Sequence, residues 1–226
     1  MSSFECKAIL FDLDGVLVDS TPAVVNAWHR WAEAHGIDPD HILEIAHGRR
    51  TAETIQVVAP ELDAEAEAHE LESMEVENLE DVHEVEGARE LLASLPESRW
   101  AVVTSGTRRL ATRRIEYMGL SSPGVLVSAE DVTTGKPDPE AYLKGAHLTG
   151  VSPEECLVVE DAPAGISAGR TAGMIVVAVA TTHHYDELSE AHAVAQSLSD
   201  IQVSVETESG LTDEPEHNFL RVRVEQ

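Results

Sequence analysis

The chain has 226 residues, with 42 acidic and 15 basic side chains, a formal charge of −27 at pH 7 and a pI of about 4.5. A hydrophobic fraction of 42% suits a globular protein with a real core, in one large domain or two modest ones, and argues against disorder. The charge argues against nucleic acid and anionic membranes as partners, since both need positive patches, and it favours a soluble monomer. No run approaches the roughly 18 apolar residues of a membrane span. The opening MSSFECKAILFDLDG lacks the basic start and apolar core of a signal peptide, which points to the cytoplasm. Cys6 and Cys156 lie in apolar, strand-like segments and read as a buried, reduced pair; no CxxC or Cys–His metal pattern occurs.

In chain order, Lys7–Phe11 is an apolar run that stops at Asp12 and predicts a buried strand. After Asp19-Ser20-Thr21-Pro22 a helix is expected, capped at Ser20 or Thr21 and stopped by Gly36, with Trp28 and Trp31 facing a core. Thr51–Ala59 and the acidic stretch to Glu84 also read as helical, so the span from Thr21 to about Val85 shows helices and no convincing strand. The pattern then changes. A short helix at Arg89–Leu95 precedes a strand at Trp100–Val103, a helix at Arg108–Met118 and a strand at Val125–Ser128. A helix at Pro139–Leu148, a strand at Leu157–Val159, a helix at Pro163–Ala172, a strand at Ile175–Ala180 and a helix at Tyr185–Ala191 follow. This alternation predicts an α/β fold: a Rossmann-like, doubly wound parallel sheet that the first strand joins, interrupted by a small inserted helical domain. The expected division is 1–19 and 86–226 for the core and 20–85 for the insertion. Ile201–Val205 and Phe219–Val224 alternate and are expected to pair as a hairpin around an acidic loop.

Ligands bind at the carboxyl ends of the strands in such sheets. Those ends carry Asp12 and Asp14, Thr104 and Ser105, and Glu160 and Asp161, while Lys136 lies in the loop TGKPDP after Val125–Ser128. Four acids gathered together repel one another and need a cation; oxygen donors alone favour Mg²⁺. Mg²⁺ and Lys136 make a positive site for phosphate, with Thr104 and nearby backbone amides to hold its oxygens. Asp12 can then act as nucleophile, and Asp14 as the acid that protonates the leaving oxygen and the base that activates water.

FDLDGVLVDS, VVTSGT, GKPDP and VVEDAPAG, in this order, resemble the four signature motifs of the haloacid dehalogenase-like phosphohydrolase superfamily, over about residues 5–183. The helical insertion after the first motif is similar to that superfamily's smaller helical cap. HGRRT, GKPDPEAYLKGA and VVEDAPAGISAG look like the branch acting on sugar and glycerol phosphates. The resemblance implies Asp12 as nucleophile and metal ligand, and Asp14 as acid/base with its carbonyl on the metal. It implies Thr104 with the amides of Ser105 and Gly106 on the phosphoryl group, Lys136 bridging it to Asp12, and Asp161 with Glu160 completing the Mg²⁺ shell. His47, Arg49 and Arg50 are the candidates for a substrate loop reaching over the site, arginine being apt for phosphate or polyol oxygens. The expected partner is a small phosphomonoester.

Other readings of these residues are weaker. Ala23 stands where a calcium loop starting at Asp12 needs a Glu, and TGKP lacks the glycine spacing of a nucleotide loop. Asp19 reads as a helix cap, His183-His184 lacks a third zinc ligand, and Gly165–Gly169 reads as close helix packing. Two rival functions remain. A sugar phosphomutase of the same superfamily shares DLDGV, but the position of its cap histidine, twelve residues after the nucleophile, is Val24 here. A non-catalytic receiver-like domain also uses a phosphorylated Asp, but has no insertion and no second Asp two residues on.

Only Lys7, Lys136 and Lys144 are lysines, against twelve arginines, and twelve acids fall between Glu61 and Glu86 with no Lys or Arg. A solvated helix face accounts for that stretch; adaptation to high salt is the sharper reading, since dense carboxylates repel less when screened. The melting temperature and activity are then expected to rise from dilute buffer to molar KCl. Equal values in both would remove the idea.

Overall fold

The computed structural model describes residues 1–46, 48–207 and 218–225. In chain order, β1 (Ser2–Cys6) leads into β2 (Ala8–Phe11) and the two-residue β3 (Val18–Asp19). Four helices follow: α1 (Thr21–His35), α2 (Pro39–Ala46), α3 (Thr51–Val58) and α4 (Ala64–Glu77). The chain returns through β4 (His83–Glu84) and α5 (Ala88–Ala93). The alternation is then β5 (Trp100–Val103), α6 (Arg108–Met118), β6 (Leu126–Val127), α7 (Glu140–Thr149), β7 (Cys156–Glu160), α8 (Pro163–Thr171), β8 (Ile175–Val179) and β9 (Ala193–Ala195). β10 (Ile201–Thr207) and β11 (Asn218–Val224) complete it.

Six strands form one parallel sheet in the order β6-β5-β2-β7-β8-β9. The strands are short apolar runs buried on both faces, and their two-residue period divides the core in two. Ile9, Phe11, Leu157 and Val159 face one side with α5 and α6 residues such as Leu91 and Ile115. Ala8, Leu10, Val103 and Val158 face the other with Tyr142 and Ala146 of α7 and Ile166 of α8. The α/β, parallel-sheet expectation therefore holds. The terminal hairpin also forms, β10 against β11, and β1 extends it to a three-stranded antiparallel sheet. Its buried residues Ile201, Leu220, Val222 and Val224 join the same core as β2. The acidic loop between β10 and β11 lies outside the described residues.

Helices α1 to α4 enclose a core of their own, with Trp28, Trp31, Ile42, Ile55 and Leu71 at its centre. Trp28 and Trp31 meet edge to face at 5.6 Å, and Trp31 Nε1 donates to Glu67 Oε2 at 2.8 Å. Helix α1 starts after Ser20 and stops at Gly36 in the left-handed conformation. Ser20 stands at the N-cap but turns its hydroxyl to Asp14 and makes no capping bond; Asp19, one residue earlier, accepts the Thr21 N–H at 3.1 Å. Chain entry and exit are stitched by β3 against β4, with Val18 opposite Glu84 and Asp19 opposite His83.

Several elements differ from expectation: β1 and the short pair β3 and β4 were not foreseen, and β4 lies inside the span expected to hold only helices. Helix α2 is not among the expected elements; it is short, and Ile42, Leu43 and Ala46 turn one face to the helical core. Tyr185–Ala191 forms a single 3₁₀ turn, Tyr185–Leu188, closed by reciprocal bonds between His184 and Glu187. The chain after it goes into the edge strand β9, whose sequence AVA has little strand character of its own. No helix among the described residues is long and apolar enough to cross a membrane.

Cys6 and Cys156 are free thiols, both buried, and burial pushes each up to about 12. Only about one thiol in 10,000 is then ionised at pH 8. Native protein should resist iodoacetamide for an hour, and unfolded protein should take two labels, as read by intact-mass spectrometry. Labelling of the native chain within minutes would contradict this placement.

Candidate active site

Strand β2 delivers Asp12, whose N–H continues the sheet ladder to the Val159 carbonyl at 3.0 Å. The chain then turns tightly: the Leu13 carbonyl accepts from Leu17 (2.8 Å) and Val18 (3.0 Å). Gly15 sits in this turn at φ +78°, and a Cβ there would lie 2.0 Å from Asp161 Oδ2. Only glycine gives both the conformation and the approach of the two loops. β5 delivers Thr104, whose Oγ1 accepts the Gly106 N–H at 3.0 Å. β7 delivers Glu160 and Asp161.

Lys136 lies beneath these strand ends, 1% exposed. Its ammonium donates to Asp12 Oδ1 (2.9 Å), the Val103 carbonyl (3.1 Å) and Glu160 Oε1 (2.7 Å), which uses all three of its protons. Desolvation alone would lower its pKa, but Asp12 and Glu160 raise it further, so it stays charged. Glu160 was expected at the metal, directly or through water. Both of its oxygens are engaged by protein donors: Oε1 by Lys136 and by the Tyr142 hydroxyl (2.8 Å), Oε2 by the N–H groups of Asp161 (2.9 Å) and Ala162 (3.2 Å). This geometry makes Glu160 the anchor of Lys136.

Asp12, Glu160 and Asp161 each bring an oxygen within 4.8 Å of the others. Burial pushes Asp12 up to about 7, against the opposing pull of Lys136, with Glu160 and Asp14 adding to the rise. Burial, then Glu160 and Asp12, push Asp161 well up. One lysine bonded among three buried carboxylates leaves negative charge in excess, and the donors are all oxygen. Those residues fit a hard divalent cation.

A cavity of about 90 Å³ opens above them. Asp12, Asp14, Thr104, Ser105, Gly106 and Asp161 line it from the sheet, and Val24, Trp28, Arg49, Thr51 and Glu75 from the helices. The two sides touch where Ser105 Oγ donates to the Gly48 carbonyl at 2.9 Å. Of the expected substrate loop, Arg49 lines the cavity and His47 lies outside the described residues. Arg50 is not at the cavity. It starts α3 in an extended conformation, and its Nη1 donates to the Thr133 carbonyl (3.2 Å) and pairs with Glu53 (3.4 Å).

The sequence reading missed a second polar network. Asp14 Oδ1 accepts from Ser20 Oγ (2.8 Å) and from Arg114 Nη1 (2.6 Å). Arg114 Nη2 donates to Glu75 Oε2 of α4. Arg114 and Glu75 are both buried, and burial pushes Glu75 up to about 7 despite the arginine. A signal was present: Arg114 falls on the apolar stripe Leu110, Ala111, Ile115, and Glu75 on the stripe Ala68, Leu71, Glu72. Thr182 was also missed; its hydroxyl bonds Asp161 Oδ2.

A family model described as haloacid dehalogenase-like hydrolase matches residues 9–179. The chain belongs to the haloacid dehalogenase-like hydrolases. Within this family it is 44% identical over 204 residues to hexitol phosphatase A of Escherichia coli, covering 88% of this chain and 94% of that protein. It is 38% identical over 200 residues to glycerol-1-phosphate phosphohydrolase 2 of Saccharomyces cerevisiae, covering 83% and 80%. A β-phosphoglucomutase structure from Clostridium difficile superposes with a TM-score of 0.75 at 25% identity, over 85% of this chain and 92% of that one.

The anchoring of Lys136 has a direct test at Gly165, where a Cβ would lie 1.6 Å from Glu160 Oε1. Gly165→Ala must displace the Glu160 carboxylate from its donors and is expected to cost about 1–3 kcal/mol, read by thermal or urea unfolding. Wild-type stability would refute the packing described.

Proposed function

We propose that this hydrolase is a Mg²⁺-dependent phosphatase of small sugar, sugar-alcohol or glycerol phosphates, acting through an aspartyl-phosphate. The observation that carries this reading is Asp12: a carboxylate held by Lys136 at the floor of a small cavity, with Asp14 and Asp161 at its walls. The names of the hexitol and glycerol phosphate relatives support the substrate class.

An Asp12 oxygen attacks phosphorus, and the bond from phosphorus to the ester oxygen breaks. Asp14 gives its proton to the departing alkoxide. It then takes a proton from the water that attacks the phosphorus, which returns Asp12 as carboxylate and releases phosphate. Thr104 and the amides of Ser105 and Gly106 hold the phosphoryl oxygens, and the Lys136 charge beside Asp12 favours that anion. Mg²⁺, held by Asp12, Asp161 and the Asp14 carbonyl, would neutralise the charge of the phosphoryl group when bound.

Residues 20–85 are read as a cap that covers the cavity, excludes bulk water and admits small esters. Arg49 is the cap residue assigned to substrate oxygens, a reading that its position on the cavity lining supports. A monomer is the working unit expected from the strongly acidic charge. The buried free thiols suit the cytoplasm, and the acidic face of α4 suits a high-salt setting.

The phosphomutase alternative draws on the C. difficile neighbour. Against it, Val24 lines the cavity at the position where such an enzyme places its histidine, and His29 is exposed. A non-catalytic receiver-like role draws no support from a hydrolase family match.

The test is phosphate release from hexose 6-phosphates, 2-deoxyglucose 6-phosphate, hexitol phosphates, glycerol phosphates and nucleotides. Release with Mg²⁺ is expected on the sugar and polyol esters, with loss to background in chelator or in Asp12→Asn. No release from any ester, or isomerisation of a hexose phosphate in its place, would overturn the reading.

A further inference from the structure

Arg114 is unlike the other arginines of its helix. Arg108, Arg109 and Arg113 are exposed, whereas Arg114 is 2% exposed and packs beside Leu110, Ala111 and Ile115. A buried guanidinium costs several kcal/mol unless it is paired, so its partners indicate what it is for. One arm of the fork holds Asp14 Oδ1 at 2.6 Å, and the other holds Glu75 on α4. Arg114 thus spans a cavity-lining carboxylate from the sheet and a buried carboxylate from the helical block.

We propose that Arg114 is a positioning residue for the acid–base carboxylate of Asp14, and that Glu75 holds Arg114 in that role. This rests on the phosphatase reading above. The Asp14 side chain is only partly buried and has two rotatable bonds. With Ser20 Oγ and Arg114 Nη1 both donating to Oδ1, that oxygen is held as an acceptor and the orientation of the carboxylate is fixed. A lysine in place of Arg114 keeps the charge but replaces the planar two-armed fork with one shorter point donor, so the present bonds to Asp14 and Glu75 are not both kept. Glu75 makes the helical block part of the acid–base apparatus as well as part of the cavity wall.

The experiment measures kcat/KM with Mg²⁺ on phenyl, 4-nitrophenyl and 2,4-dinitrophenyl phosphates. This quantity covers attack by Asp12 and departure of the leaving group. Phenolate needs the Asp14 proton to leave; dinitrophenolate needs it far less. Arg114→Lys is expected to lose roughly tenfold or more on phenyl phosphate, with a loss that shrinks as the leaving group becomes more acidic. Asp14→Asn should show the same trend, and adding Arg114→Lys to it should cost little more. Equal losses on all three esters would overturn the proposal and leave Arg114 a structural or phosphate-binding residue. If thermal unfolding shows that Arg114→Lys does not fold, Glu75→Met decides by the same comparison: a graded loss supports the proposal and a flat one refutes it. A wild-type enzyme inactive on every ester would instead sink the phosphatase reading.

Discussion

The structure turns on an ammonium group buried between two carboxylates. Lys136 reaches the strand ends from the loop after β6 and bonds Asp12 after β2, the Val103 carbonyl of β5 and Glu160 of β7. Desolvating this cation is tolerable only because all three protons are taken, and losing one partner of such a buried pair typically costs about 3–5 kcal/mol. The same bonds bring the ends of three strands to a common point and hold Asp12 still. Glu160 has no freedom either: the first amides of the turn into α8 hold its second oxygen, and Gly165 leaves the space in which it lies. Stability and reactivity draw on the same charges. Taking one away for chemistry exposes the others.

The junction between helices and sheet is made differently. Its contacts are polar: Ser105 with Gly48, Arg50 with Thr133, Gly135 with Glu53, and Arg114 with Glu75. Trp28, Trp31 and Leu71 stay in the helical core and Phe11 and Val159 in the sheet core, while Ala23, Leu79 and Val82 of the segment 20–85 pack with the latter. Polar interfaces of this kind separate at lower cost than a continuous core, because water replaces the lost hydrogen bonds.

Much of this was legible in the sequence, for identifiable reasons. The strand KAILF stopping at Asp12, and WAVV stopping at Thr104, announced themselves because both strands are buried on each face and end abruptly in polar groups. Strands β1 and β9 did not. Ser2–Cys6 is half exposed and depends on a partner more than two hundred residues away, and Ala193–Ala195 is held at the sheet edge by register with β8. The residues that line the cavity from the sheet were readable because they follow strands. Arg50 was misplaced because an arginine beside a site carries no indication of direction; a carbonyl at Thr133 decides it. Arg114 and Glu75 went unseen because an acid-rich helix and an arginine pair look like solvated surface. Only their phase against neighbouring leucines and alanines marks them as interior.

One feature of the backbone bears on how such a molecule changes over time. The chain leaves the sheet at β3 and re-enters at β4, and these two strands lie side by side. Seen from the sheet, everything between them is a single loop whose ends are already closed. Lengthening, shortening or exchanging that loop leaves the end-to-end distance unchanged, and each doubling of its length adds only about 0.6 kcal/mol of closure cost at the neck. The strand-end side of the cavity and the helical side can therefore vary independently, except where Glu75 pairs with Arg114, which in turn holds Asp14. A replacement loop must supply that one contact or do without it.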